Sequence, residues 1–208
     1  MALTDFYSNF HLFIRWLHVI AGIAWIGILY FFNFINIHLQ KTLEESGKKA
    51  VNPKLMPRAL WWFRWGAMIT FVAGLVLFFL NYMYEPGIGV GASANWSDID
   101  GLTSRASWII MGMLFGTAMW FNVWFVIWPA QKKILKGQGS KEKLAILRSR
   151  AGKFSKMNTY MSGPMLFGML APNHYGSANF VTLIVAIVLG VFAIWVAYRH
   201  AGKVGQSV

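Results

Sequence analysis

The 208-residue chain contains no cysteine. That excludes disulfides, cysteine-ligated iron–sulfur clusters and a Cys-x-x-Cys-His attachment for covalent haem. Any metal or haem must therefore be held by His, Met, or carboxylate and amide oxygen. Acidic residues are also scarce, seven against nineteen Lys and Arg, and charged residues make up only 12% of the chain. A soluble domain carries about a quarter. No basic stretch precedes the first apolar run, and that run exceeds signal-peptide length, so no cleavable leader is expected.

Apolar residues are abundant, at 57% of the chain. Their blocks predict spans at about 10–38, 58–84, 106–129, 157–171 and 178–198. The expected fold is an all-α polytopic transmembrane helix bundle of about five spans, a single integral membrane domain over residues 1–208. A net charge of +12 raises the question of nucleic acid, but the basic residues are distributed otherwise. Fourteen lie in segments 40–58 and 130–157, whereas segment 85–104 holds Glu85, Asp98 and Asp100 with no Lys or Arg. This is the positive-inside pattern. It predicts an outer N-terminus, a cytoplasmic C-terminus, the lipid bilayer with its anionic headgroups as partner, and no nucleic acid.

The first apolar run, His11 to Leu39, carries an arginine, three histidines and two asparagines. Polar groups in hydrocarbon are costly unless they face a partner, so this helix is the place to look for chemistry. His18 and His38 are twenty residues apart, about 30 Å along a helix, and cannot share a centre. His11 and His18 share a face but stand about 10 Å apart, with Arg15 between them. The fourth block is short: fifteen residues span about 22 Å against a hydrocarbon core of about 30 Å. Pro164 lies within it and Pro172 is expected to stop it, leaving APNHYGSAN non-helical below the outer surface. His174 then falls near the depth of His18, the arrangement a bis-histidine haem b needs. In that reading His18 and His174 are the axial ligands, and Arg15 and Arg105 face the propionates. The alternative is that both histidines satisfy backbone or asparagine groups between helices.

Elsewhere the expectations are structural. Arg64, beside Trp61, Trp62 and Trp65, reads as part of an inner aromatic and basic belt. Gly112 and Gly116 suit close helix approach, and Asn122 must find a hydrogen-bond partner. The Gly-rich run near residue 87 follows no strand and opens no helix, which rules out a phosphate loop. Segment 40–58 reads as a helix tail, a glycine break and proline turns. The basic segment after Pro129 reads as a helix or hairpin lying on the cytoplasmic face.

Four stretches, RWLHVIAGIAWIGILYFFNF, LWWFRWGAMITFVAG, MWFNVWFVIWPAQKKI and NTYMSGPMLFGMLAPNHYG, resemble the N-terminal membrane domain of bacterial membrane-bound urate oxidases over about residues 10–176. The resemblance implies a multi-pass protein of the bacterial cytoplasmic (inner) membrane. In that family electrons leave purine oxidation through a C-terminal cytochrome c domain, which is not expected in this sequence. More weakly, LHVIAGIAWIG resembles the first helix of small haem-b membrane proteins, and His18 matches their helix-borne ligand. Three functions follow as expectations. The first is a redox subunit exchanging electrons with a separate cytochrome c or larger membrane complex. The second is a urate oxidase using a separate cytochrome c as acceptor. The third is a non-catalytic assembly subunit.

Overall fold

The computed structural model describes residues 5–205. Five long helices run through it: α1 (Phe6–Thr42), α2 (Glu45–Tyr82), α3 (Ser104–Leu135), α4 (Lys141–His174) and α5 (Phe180–Ala201). Four of them, all but α4, are long and apolar enough to cross a membrane. Successive helices alternate in direction. The chain therefore has a basic end, at residues 42–45 and 135–141, and a hairpin end, at residues 83–103 and 175–179.

The helix starts are set locally. The side chains of Asp5, Thr103 and Ser140 accept hydrogen bonds from Ser8, Ala106 and Lys143 backbone N–H groups. Asn179 and Thr182 form a reciprocal capping box at the start of α5. The apolar blocks located the helices but not their ends. Helix α2 begins at Glu45, not near residue 58, and keeps Pro53 and Pro57 inside it. Helix α3 continues past Pro129 to Leu135. The fourth helix is not short. It takes in the basic stretch from Lys141 onward and continues through Pro172 to His174. Hydropathy marks where a helix becomes greasy, not where its backbone begins. Pro172 removes one amide hydrogen in the last turn, and the Tyr175 N–H still closes onto Ala171 O at 2.8 Å. Only Tyr175–Asn179 of the expected irregular segment is non-helical.

At the hairpin end, two small antiparallel ladders pair β1 (Tyr84–Glu85) with β2 (Gly89–Val90) and β3 (Ser97–Asp98) with β4 (Gly101–Leu102). The glycine run is thus a hairpin. Gly87, at φ 86°, takes a left-handed turn conformation that side-chain-bearing residues avoid.

The bundle is built from two pairs, α1 against α2 and α3 against α4, with α5 laid on α4. Glycine sets the closest crossings. A Cβ on Gly168 would stand 2.6 Å from the Gly112 nitrogen, and one on Gly163 would stand 2.2 Å from the Gly190 oxygen. Backbone therefore meets backbone, as small residues permit in membranes. Between the pairs, the half nearer the basic end is filled by Trp25, Leu29, Phe63, Met119, Val123 and their neighbours. Both π-helical turns, Phe31–Asn36 and Asn122–Ile127, fall here and contain buried asparagines. Asn122 Nδ2 donates to Asn158 Oδ1 (2.8 Å), and Asn158 Nδ2 donates to Met119 O (2.9 Å). Asn33 donates to Leu29 O and Ser155 Oγ and accepts from the Tyr198 hydroxyl. Arg64 points into a tryptophan cluster, its guanidinium 4.0 Å from the Trp128 ring centre and 5.2 Å from that of Trp124.

Candidate functional site

Toward the hairpin end the two pairs do not fill the space between them. A cavity of about 710 Å³ opens there, walled by all four helices of the pairs. That lies within the roughly 300–1,000 Å³ range of small-molecule and cofactor sites. Its wall is mostly apolar, with Ile23, Phe71, Phe78, Ile109, Leu166 and Leu170 among the lining residues. The polar groups in the wall are few: Arg15, His18 and Tyr30 from α1, Thr70, Asn81 and Tyr82 from α2, Arg105 and Thr117 from α3, and Asn173 from α4.

His18 is half-buried, and its Nδ1 lies 2.8 Å from Thr70 O. A carbonyl can only accept, so Nδ1 carries the hydrogen and Nε2 keeps a lone pair. An imidazole oriented by a backbone carbonyl in this way is prepared to bind a metal through its other nitrogen. Gly74 makes room for the ring: a Cβ there would come within 3.0 Å of His18 Cε1. Arg105 Nη2 donates to Asn173 Oδ1 at 2.7 Å. Arg15 has no hydrogen-bond or ion-pair partner among the described residues, where the one salt bridge is Lys48–Glu45 at 3.8 Å. The cavity therefore offers two guanidiniums and no neutralising carboxylate.

Three of the four expected site residues, His18, Arg15 and Arg105, share this wall. His174 does not. It is exposed at the last turn of α4, while its neighbour Asn173 faces the cavity. The Tyr30 hydroxyl meets Ser162 Oγ at 2.8 Å, and His18 and His174 each lie twelve residues, about 18 Å, from that contact. They are at similar depth, but one residue of helical rotation, about 100°, turns His174 off the wall. The alternative role for His18, satisfying a backbone carbonyl, is what Nδ1 does. It accounts for one nitrogen and leaves the other.

The sequence pattern of the urate oxidase N-terminal family matches residues 4–50 and 88–206, most of the chain. The chain belongs to the urate oxidase N-terminal family. The match reaches beyond residue 176, where the sequence resemblance ended, but leaves out residues 51–87. It therefore omits LWWFRWGAMITFVAG and nearly all of α2. No curated protein matches the chain, and no solved structure matches it.

Against that family, the α2 side of the cavity is the part sequence reasoning missed. Gly66, Thr70, Gly74 and Asn81 recur at helical spacing along one face of α2, a polar and small-residue stripe that was visible in the sequence. Gly66 meets the backbone of Trp25, while Thr70 and Gly74 meet His18. Haem b fits what is present: an oriented imidazole, cationic groups for carboxylates and an apolar chamber. Among the described residues no three of His, Asp and Glu gather as a metal-binding group. Haem iron needs only one or two protein ligands, so that grouping is not required.

Proposed function

We propose that this chain is an integral-membrane redox protein of the bacterial cytoplasmic membrane, holding b-type haem in the cavity between the helix pairs. His18 would hold the iron through Nε2, and Arg15 and Arg105 would offset the two carboxylates. The reading is carried by one observation: Nδ1–H of His18 is committed to Thr70 O, which leaves an Nε2 lone pair on the wall of an apolar chamber. Haem bound there supplies a one-electron carrier. Thr70 fixes the imidazole tautomer, Gly74 admits the ring, and Asn173 steadies Arg105. The apolar walls exclude water. Met113, Met165 and Met169 add thioether sulfurs to the wall, and Tyr30 and Tyr82 add phenolic oxygens, each a donor atom that iron can accept. The hairpin end is the outer side by the charge pattern, so electrons exchange there with a separate cytochrome c or a larger membrane complex.

A pyridine haemochrome spectrum of the purified chain tests this. Stoichiometric haem b is expected. Absence of haem from chain produced in a haem-replete host would sink the reading, and an assembly subunit would take its place. Family membership favours a second reading, oxidation of urate with a separate cytochrome c as electron acceptor.

A further inference from the structure

A second cavity, of about 400 Å³, adjoins the first at the hairpin end. Tyr7, His11, Arg15, Asn81, Glu85 and Asn95 are among its lining residues, and it shares Arg15 and Asn81 with the apolar cavity. Unlike its neighbour, it is lined largely by polar side chains. The wall is held in place by hydrogen bonds. Ser93 Oγ and Asn95 Nδ2 both donate to Asn81 O, at 3.0 and 3.2 Å, tying the hairpin loops to the end of α2. The Tyr7 hydroxyl ties α1 to Leu80 O at 3.1 Å.

Three groups in this vestibule still have unused hydrogen-bonding capacity. Asn81 Nδ2 donates to Leu77 O at 2.7 Å, so the Asn81 Oδ1 accepts from His11 Nε2–H at 3.2 Å. That leaves His11 Nδ1 as an acceptor. The Arg15 guanidinium has no hydrogen-bond or ion-pair partner among the described residues, and neither has the Glu85 carboxylate, whose residue bonds only through its backbone, in the hairpin. A guanidinium presents a planar fork that matches an anionic or strongly accepting edge. A carboxylate can only accept, so it calls for an N–H or O–H. A simple inorganic anion satisfies the first and is repelled by the second. A lipid chain satisfies neither.

We propose that the vestibule binds a small water-soluble organic molecule with two unlike edges, an anionic acceptor edge at Arg15 and an N–H-bearing edge at Glu85. Arg15 has five N–H donors, enough to serve this molecule and a carboxylate in the inner cavity together. It thus forms a wall common to a polar substrate site and a redox site. The proposal deepens the second functional reading and rests on it for the choice of urate as probe. It does not depend on haem.

Isothermal titration of the detergent-purified full chain with urate, and separately with inorganic phosphate, tests it. Saturable urate binding is expected, weakened tenfold or more by Arg15→Gln and by Glu85→Gln, with no comparable binding of phosphate. Glu85 is exposed on the hairpin, so Glu85→Gln should fold normally, and Lys141→Gln at the basic end should bind like the parent chain. No heat with urate, unchanged affinity in Glu85→Gln, or phosphate binding equal to urate would each overturn the proposal. The haem content of the same samples separates the two ideas. Urate binding without haem would sink the haem reading alone, and haem without urate binding would sink this one.

Discussion

The seam between the two helix pairs is solid in one half and hollow in the other. Near the basic end, Trp25, Leu29, Phe63, Met119 and Val123 close it, and Asn33, Asn122 and Asn158 clamp it with satisfied hydrogen bonds. Toward the hairpin end, the same four helices leave about 710 Å³ open, with a histidine and two arginines on the wall. The helices are continuous through both halves, so the difference lies in the side chains. Lipid is as apolar as a leucine core, so burying grease gives little drive for helices to associate in a membrane. The solid half supplies association through close packing, backbone crossings and interhelical hydrogen bonds. The hollow half can then keep unpaired cations and free space without losing the fold.

The largest effect should come from the crossing that holds α3 on α4. Gly168→Val places atoms where a Cβ already meets Gly112 backbone at 2.6 Å. Overpacking costs about 1–3 kcal/mol and more where backbone must move, so loss of monodisperse protein on size-exclusion chromatography is expected. A normal elution profile and melting temperature would show that the solid seam does not depend on that crossing.

The hollow half is tested by its histidine. His18→Ala should strip the haem while leaving elution and helical circular dichroism intact, with partial recovery in free imidazole. His174→Ala should retain the chromophore, because that residue is off the wall. If His174→Ala loses the haem as fully as His18→Ala does, the bis-histidine pairing expected from sequence is right and the wall described here is incomplete.

A smaller effect is expected at the clamp. Asn158→Leu leaves Asn122 Nδ2 unpaired and removes one of the two donors to Met119 O, at about 1–2 kcal/mol by the scale of interhelical hydrogen bonds in membranes. A melting temperature lowered by a few degrees with unchanged haem content would keep the two halves separable. Loss of haem with the clamp would mean that the halves are coupled. The smallest effect belongs to the basic end: Lys141→Gln with Lys143→Gln should leave any haem spectrum unchanged, since both lysines are exposed and lie at the end of the bundle opposite the cavity. A shifted spectrum would tie that end to the cavity.

Composition and hydropathy alone determined the class, the number of long helices and the uneven charge, because apolar length and loop charge are one-dimensional properties. Arg15 and His18 stood out as candidates for a similar reason, since an ionisable group in a greasy helix needs a partner, and both line the cavity with Arg105. Helix ends were not legible, because α2 and α4 continue as helix through basic and proline-containing stretches that hydropathy scores as loop. Nor was the α2 wall, although Thr70 and Gly74 lie at helical spacing, since a small-residue stripe has no meaning until another helix rests on it. Depth along a helix follows from counting residues, so His174 could be placed near the level of His18. Which way a side chain points depends on the rotation of one helix against its neighbours. Only the tertiary structure decided that, by turning Asn173 toward the cavity and His174 away.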